Sequence, residues 1–145
     1  MQYIREVKVR YGRRHRANHP VRQSLDIVRF INRKILLDNS KEHFMLFCLD
    51  GNHSIAAYNV VSVGTATSAV VHPREVFQPA ILAGAVSIIV AHNHPSGSIE
   101  PSQEDFKSTD MLKQASQLLG IKLLDHIIVG EKDSYYSFQE HGKMI

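Results

Sequence analysis

Val86 to Ala91 (VSIIVA), followed by His92 to Pro101 (HNHPSGSIEP), sets the architecture of the chain. The first six residues form an apolar run of the kind found in central strands that are buried on both faces of a sheet. The next ten contain two prolines and a glycine, which predict a loop at the end of that strand. Side chains able to do chemistry therefore begin where a central strand ends.

The residues on either side of this stretch predict alternating helices and strands. The expected elements are an amphipathic helix from Pro20 to near Asp38 and Asn39, a hairpin of strands 44–49 and 54–61, a helix from Pro73 to Gly84, a helix from Ser102 to Gly120, and strands 121–129 and 134–138. The residues expected to pack from the second and third helices are Val76, Ala80, Leu82, Ala83, Phe106, Met111, Leu112, Ala115, Leu118 and Leu119. This alternation predicts one α/β domain over residues 20–145.

Residues 1–19 are predicted to form a basic arm ahead of that domain. Six of the 17 basic residues lie within residues 1–16, and the rest of the chain has 11 basic and 13 acidic residues. Val7, Val9 and Tyr11 alternate with charged residues, which predicts a short strand with one solvent-exposed face. The arm is either a solvated edge strand and linker or a contact for nucleic acid. As an edge strand it could also pair with a second copy in a homodimer.

The composition excludes several classes of protein. The single cysteine, Cys48, cannot form an internal disulfide, and it excludes zinc or iron–sulfur sites that need several cysteines from one chain. A reducing, cytoplasmic setting is expected. We find no signal-peptide pattern at the N-terminus and no apolar run near the roughly 20 residues of a membrane-spanning helix, so we expect a soluble protein that is not exported.

His92 and His94 are candidate metal ligands. They are separated by one residue, so on an extended backbone both project to the same side and can reach one ion. Asp105 follows eleven residues after His94, in the first turn of a predicted helix, and the intervening loop can fold its carboxylate back toward both rings. Two imidazoles and a carboxylate leave the fourth position of a tetrahedral zinc open for water. We therefore predict a zinc site of the catalytic type.

Hydrolysis at such a site also needs a carboxylate that is not a ligand, to take and return a proton. Glu42, just ahead of the first strand of the hairpin, is the candidate. The alternative is that Glu42 is an exposed charge at the start of a strand. Chemistry alone favours that alternative, because Glu75, Glu100 and Glu104 compete for the same role.

Ser102 has two interpretations that the sequence leaves open. Its hydroxyl could donate to the oxyanion of a tetrahedral intermediate. It could equally be the N-cap of the helix that follows, with Asp105 three residues later completing a capping box. One hydroxyl could serve both purposes.

The remaining histidines are assigned structural or surface positions. His126 lies in a predicted strand and is interpreted as a hydrogen-bonded core residue, and only His72, beside Pro73, is kept as a residue at the edge of the site. Asp125 is interpreted as a hydrogen-bond acceptor and Cys48 as a packed core residue. The histidines expected to be exposed are His15, His19, His43, His53 and His141.

At this point the sequence resembles a known family. The run His92-Asn93-His94-Pro95-Ser96-Gly97, followed by Pro101-Ser102 and Asp105, closely resembles the signature of the RadC family of JAB/MPN (JAMM) domains. The spacing His-x-His, seven residues, Ser, two residues, Asp is the general JAB metal motif. Residues 72–77, 118–130 and 136–138 also look like this family, and the similarity runs from about residue 20 to residue 142.

The resemblance implies a fold, a metal and roles for individual residues. The fold would be a mixed, curved β-sheet flanked by helices, the cytidine-deaminase-like JAB metalloprotease fold. Zinc would lie on His92, His94 and Asp105, with Ser102 as the motif serine. Glu42 would occupy the position of the family's general acid/base, which reverses the preference from chemistry alone. Family members outside RadC cleave peptide or isopeptide bonds, so a peptide or protein substrate is expected.

Other functions compete with metal-dependent proteolysis. The DNA-repair role that the RadC name records and the basic arm suggest a link to nucleic acid, which would make the chain a nuclease-like or accessory protein. Full-length RadC proteins carry a helix-hairpin-helix segment that residues 1–16 do not resemble, which weakens this expectation. A zinc deaminase would need a Pro-Cys-x-x-Cys motif, which one cysteine cannot supply. A pseudoenzyme that binds zinc, or nothing, is the last alternative.

Overall fold

The structure, a computed structural model, describes residues 3–8, 10, 19–35, 37–64 and 71–144. The elements are α1 (Ser24–Phe30), which continues into a π-helical segment (Ile31–Ile35), β1 (Glu42–Leu49), β2 (Ile55–Gly64), α2 (Pro73–Leu82), β3 (Ser87–Asn93), α3 (Gln103–Leu119), β4 (Lys122–Val129) and β5 (Tyr135–Ser137). None of the helices in the described part of the chain is long and apolar enough to cross a membrane.

The five strands form one mixed sheet in the order β2-β1-β3-β4-β5. β1 is antiparallel to both of its neighbours, β2 and β3, whereas β4 is parallel to β3 and antiparallel to β5. A parallel pair needs a crossover connection, and α3 provides it between β3 and β4. β3 is central and every one of its residues is buried, which confirms the predicted central strand. Its bounds differ from the prediction: Val86 lies outside the strand and is 57% exposed, whereas His92 and Asn93, predicted to begin the loop, are its last two residues.

Helices cover both faces of this sheet. α1 packs on one face, where the buried residues are Ile27, Val28, Ile31, Met45, Phe47, Leu49, Ile89, Ala91, Ile127 and Val129. α2 and α3 pack on the other, where the buried residues are Phe44, Leu46, Cys48, Val76, Phe77, Ala80, Ile88, Val90, Leu112, Ile121 and Leu123. Alternate residues of β1 and β3 therefore point to opposite cores. The predicted α/β class, a mixed sheet flanked by helices, is confirmed.

α1 begins at Ser24, four residues later than the start at Pro20 that the apolar spacing predicted. Pro20 instead pairs with Ser54 in an isolated antiparallel bridge, so the backbone is extended there. The carboxylate of Asp26 then accepts hydrogen bonds from the backbone N–H groups of Arg22 and Gln23, which have no helical acceptor. Helical structure ends at Ile35, before the predicted end, and Leu36 lies outside the described residues.

The predicted packing face of α3 is largely wrong. Phe106, Met111, Leu118 and Leu119 are exposed, and of the large apolar residues only Leu112 is fully buried. The buried face of the helix is mostly polar, and its buried residues are Asp105, Ser108, Thr109, Leu112 and Ser116. Near its start the helix faces polar side chains, since Asp105 contacts His92 and Thr109 contacts His126, so apolar spacing does not mark the buried side there. Leu82 of α2, also predicted to pack, is exposed as well.

The strand predicted in the N-terminal arm is not formed in the described part of it. Residues 3–8 and 10 have no regular secondary structure and are exposed, while Val9 and Tyr11 lie outside the described residues. The side chains of Tyr3, Ile4 and Val7 remain exposed. A single strand gains little stability without a neighbour to bury its apolar face.

The burial of α3 predicts different costs for two leucine substitutions on the same helix. Leu112→Ala should lower the free energy of unfolding by about 2–5 kcal/mol, because truncation of a fully buried side chain leaves a cavity. Leu118→Ala, at a position that is 87% exposed, should change it by less than about 0.5 kcal/mol. Urea unfolding followed by circular dichroism measures both. Equal losses for the two variants would contradict this orientation of the helix.

Candidate metal centre

The end of β3 and the start of α3 bring three ligand-type side chains to one point. His92 and His94 project from the same side of the chain, and their Nε2 atoms lie 3.0 Å apart. Asp105 places Oδ1 3.1 Å from Nε2 of His92 and Oδ2 3.0 Å from Nε2 of His94. One carboxylate therefore contacts both imidazoles. The loop of residues 94–102 folds back far enough to join them, as its proline and glycine content predicted.

Asp105 is held in place by a reciprocal capping box at the start of α3. The hydroxyl of Ser102 accepts a hydrogen bond from the backbone N–H of Asp105 at 3.1 Å, and Oδ2 of Asp105 accepts one from the backbone N–H of Ser102 at 2.9 Å. The N-cap interpretation of Ser102 is thus present in the structure. An accepting hydroxyl keeps its own hydrogen, so Ser102, which is exposed, can still donate to another group.

Glu42 reaches the same point from β1, and it is the first residue of that strand rather than a residue ahead of it. Phe44 of β1 pairs with His92 of β3 in the antiparallel ladder. Because the two strands run in opposite directions, Glu42, two residues before Phe44, lies toward His94, two residues after His92. Its Oε1 lies 3.9 Å from Nε2 of His92. The ligand atoms of Glu42, His92, His94 and Asp105 all lie within 4.8 Å of one another.

Asn93, between the two histidines, fixes the start of β1. Its Oδ1 accepts a hydrogen bond from the backbone N–H of His43 at 2.8 Å, and its Nδ2 donates to the carbonyl of Lys41 at 2.9 Å. These two bonds flank Glu42 on either side and tie it to the strand that carries the histidines. No local pattern in the sequence indicates this role, because the two partners lie about 50 positions away.

The charges in the cluster are those expected of a site that attracts a cation. Burial alone would raise the pKa of Asp105, but hydrogen bonds from His92 and His94 outweigh it and hold that pKa well below its usual range. The hydrogen bond to Asp105 raises the pKa of His94. Burial raises the pKa of Glu42. Asp105 is therefore ionised, whereas Glu42 holds its proton to a higher pH than an ordinary glutamate.

The cluster fits the size of a tetrahedral metal site. Zinc lies about 2.0–2.1 Å from imidazole nitrogen and carboxylate oxygen, so two ligand atoms of a tetrahedral ion are separated by roughly 3.3 Å. The two Nε2 atoms are 3.0 Å apart, and Oδ1 and Oδ2 of Asp105 lie 3.1 Å and 3.0 Å from Nε2 of His92 and of His94 respectively, each within a few tenths of an ångström of that value. Their chemistry, two nitrogens and one carboxylate oxygen, also matches a catalytic zinc site.

His126 is a buried core residue that forms hydrogen bonds, as predicted, but its partner is at the metal centre. It is fully buried, its Nε2 lies 2.8 Å from Nδ1 of His92, and burial lowers its pKa well below the usual value. Its Nδ1 contacts the hydroxyl of Thr109. The link between His126 and His92 was missed because it depends on the parallel pairing of β3 and β4, which sequence spacing does not reveal.

Asp125 and Cys48 have the structural roles that were predicted. The carboxylate of Asp125 accepts hydrogen bonds from the hydroxyls of Ser24 and Ser137, and so joins α1, β4 and β5. Cys48 is buried in the core, and burial raises the pKa of its thiol to about 11. A thiol that stays protonated is a poor nucleophile.

The other candidates are not part of this cluster. Among the described residues, the group that could hold a metal ion includes neither His72 nor any of Glu75, Glu100 and Glu104. His53 and His141 are exposed, as predicted. His19 and His43, predicted to be exposed, are half-buried because His19 packs edge-on against Phe30 and the ring of His43 contacts the carbonyl of Lys41. His15 lies outside the described residues.

A cavity of about 800 Å³ adjoins the metal centre on the side of His94. It lies between the loop after β3, the turn between β4 and β5, and the segment after the π-helical turn. Its lining includes Asn32, Asn39, His94 and Lys132. A cavity of this size is large enough for several residues of a bound chain or for a small molecule.

The capping box predicts the effect of removing the Ser102 hydroxyl. Ser102→Ala should lower the free energy of unfolding by about 1 kcal/mol, since the backbone N–H of Asp105 loses its acceptor. Gln117→Ala, at an exposed position of the same helix, should not destabilise the chain, because alanine is at least as good a helix former as glutamine. Thermal unfolding of the two variants measures the difference. No difference between them would show that the cap contributes nothing.

Comparison with known proteins agrees with this geometry. The family model described as the RadC-like JAB domain matches residues 21–143. A UPF0758 protein of Rubrobacter xylanophilus is 48% identical over 104 residues, which cover 72% of this chain and 45% of that protein. For a UPF0758 protein of Chlorobaculum parvum, the identity is 42% over 125 residues, covering 86% of this chain and 55% of that protein.

A third relative, a UPF0758 protein of Pelodictyon phaeoclathratiforme, is 41% identical over 139 residues, which cover 96% of this chain and 62% of that protein. The chain spans about half the length of the curated relatives it matches. The resemblance drawn from the His-x-His motif is therefore confirmed, and this chain belongs to the RadC-like JAB domain family.

Proposed function

We propose that this chain is a zinc-dependent hydrolase that cleaves amide bonds in peptides or proteins, as a metallopeptidase or isopeptidase. The observation that carries the proposal is the convergence of Glu42, His92, His94 and Asp105 within 4.8 Å. The four come from β1, β3, the loop that follows β3, and α3, so their meeting is a product of the tertiary structure. Membership of the JAB family supports the same class of reaction.

In this proposal His92, His94 and Asp105 hold the metal. Three protein ligands leave one position open, which is the arrangement of catalytic rather than structural zinc sites. When bound there, zinc would polarise a substrate carbonyl and lower the pKa of a water molecule to about 7. The side chains of His94 and Asp105 are 17% and 12% exposed, so the site is open to a substrate from outside.

Glu42 is proposed as the general acid and base. It is not needed as a third ligand, and its carboxylate lies at the edge of the cluster, 3.9 Å from His92. Partial burial raises its pKa, and a carboxyl group with a raised pKa is better able to return a proton to a leaving amine. The burial of Glu42 and its place beside His92 support the role that the resemblance implied.

Ser102 and the cavity are proposed to bind the substrate. The hydroxyl of Ser102 accepts from Asp105 and retains a hydrogen that can be donated to a developing oxyanion. The cavity beside His94 is proposed to receive the substrate on one side of the scissile bond. Its neutral amides, Asn32 and Asn39, are suited to the backbone groups of an extended peptide.

Two alternatives compete with this proposal. Binding to nucleic acid is supported only by the basic charge of residues 1–16. A pseudoenzyme would keep the metal and lose the reaction. In either case the cytoplasm is the proposed setting, because the single cysteine fits a reducing compartment.

Zinc binding should be detectable as increased stability of the chain. At a free zinc concentration about 100 times the dissociation constant, the wild type should gain about 2.7 kcal/mol. Asp105→Asn should lose this gain while keeping an oxygen for the capping box, and Asp110→Asn, an exposed position on the same helix, should keep it. Thermal unfolding with and without zinc, and the zinc content of each variant, provide the measurement. Zinc content that is undiminished in Asp105→Asn and in Asp105→Ala would contradict the site.

Loss of Glu42 should separate metal binding from hydrolysis. Glu42→Gln should keep the zinc content of the wild type and lose hydrolysis by about 10²–10⁴-fold, because the amide cannot take the proton of the attacking water. Glu104→Gln, an exposed carboxylate on α3, should behave as the wild type. Comparison of the peptides and proteins that accumulate in cells holding each variant measures the effect on whichever substrates the cell contains. Identical profiles for wild type and Glu42→Gln would count against proteolysis.

A further inference from the structure

A chain of hydrogen bonds runs from the metal centre into the core and returns to the same residue. Nδ1 of His92 lies 2.8 Å from Nε2 of His126, and Nδ1 of His126 lies 2.5 Å from the hydroxyl of Thr109. That hydroxyl in turn lies 2.7 Å from the backbone carbonyl of Asp105. Because the side chain of Asp105 also contacts His92, the path closes on itself.

Packing fixes the ring of His126 in this path. It stacks on Phe138 with the two planes 11° apart, and it makes a T-shaped contact with Phe44. The ring is fully buried, and its nitrogens contact one imidazole and one hydroxyl. Neither the imidazole of His92 nor the hydroxyl of Thr109 carries a negative charge that could stabilise a positive charge on the buried ring. His126 is therefore neutral and carries a single N–H.

When each ring carries one N–H, the path has only two directions. In the first, Thr109 donates to the Asp105 carbonyl, His126 donates from Nδ1 to Thr109, and His92 donates from Nδ1 to His126. Nε2 of His92 then offers its lone pair to a metal ion, which would take the place of the hydrogen that Nε2 shares with Asp105 in the metal-free site. In the second direction Thr109 donates to Nδ1 of His126, and Nε2 of His126 donates to Nδ1 of His92. The hydrogen of His92 is then on Nε2. Only the first direction leaves His92 able to bind a metal ion.

We propose that Thr109 and His126 are positioning residues that keep the hydrogen of His92 on Nδ1 and thereby make its Nε2 a metal ligand. This role rests on the proposed metal centre. When a metal ion lies between Nε2 of His92 and the carboxylate of Asp105, the far end of the path decides its direction: the carbonyl of Asp105 cannot donate and so favours the first direction. Partners of this kind, which contact the ligands but not the metal, orient metal-binding histidines and raise their basicity.

His94 obtains the same tautomer by a simpler route. Its Nδ1 lies 2.9 Å from the backbone carbonyl of Ser98, which can only accept, so Nδ1 carries a hydrogen and Nε2, which contacts Asp105 in the metal-free site, is the nitrogen left for a metal ion. The two histidines are therefore prepared in the same way by different partners. The position of the ring hydrogen depends on the Thr109 hydroxyl in His92 but not in His94.

The test compares three hydroxyl variants on α3. Thr109→Val keeps the shape of the side chain and removes the hydroxyl, and it should weaken zinc affinity about 10- to 100-fold. Thr109→Ser restores the hydroxyl and should restore the affinity. Ser116→Ala is the matched control, because it removes a buried hydroxyl that donates to a backbone carbonyl of the same helix away from the path. The zinc affinity of Ser116→Ala should equal that of the wild type. Chelator competition measures the zinc affinity of each.

Ring-nitrogen NMR of the ¹⁵N-labelled, zinc-loaded wild type provides a second readout that a purely structural role would not move. His92 and His126 should both carry their hydrogen on Nδ1. A hydrogen on Nε2 of His126, or equal affinities for Thr109→Val and Ser116→Ala, would overturn the role of the path while leaving the metal centre intact. A wild-type chain that binds no zinc would overturn the metal centre itself, and this role with it.

Discussion

Two imidazole nitrogens and one carboxylate converge on a single point, and the surrounding fold is arranged to keep them there. Nε2 of His92 and Nε2 of His94 are 3.0 Å apart, and the carboxylate of Asp105 lies within 3.1 Å of both. Lone pairs and negative charge at these separations repel one another unless a proton or a metal ion lies between them. Burial of β3 and the hydrogen bonds around the three groups hold them together against that repulsion.

Each neighbour of the central strand contributes to this arrangement. The antiparallel pairing with β1 delivers Glu42, and the bonds made by Asn93 fix the start of that strand. The parallel pairing with β4 delivers His126 behind His92. The crossover helix that a parallel pair requires begins with a capping box, and that box orients the carboxylate of Asp105. The topology of the sheet therefore determines the chemistry of the site.

The parts of this arrangement that depend on local spacing could be predicted from the sequence. Two histidines one residue apart, a loop rich in proline and glycine, and a capped helix can be recognised along the chain. The position of Glu42 could not be derived in this way, because it depends on pairing between strands about 50 residues apart, and it came from the family resemblance. The contact of His126 with His92 is non-local as well. The predicted packing face of α3 was wrong because the prediction assumed that the apolar side of a helix is its buried side. In α3 the side that meets the site is polar and buried.

Zinc K-edge X-ray absorption of the protein loaded with one equivalent of zinc is the sharpest test of the metal centre. The geometry predicts two imidazole nitrogens, one carboxylate oxygen and one further light ligand at about 2.0–2.1 Å, in a four-coordinate site. Sulfur among the ligands, or a spectrum with one imidazole or none, would contradict the assignment of His92, His94 and Asp105 as the ligands.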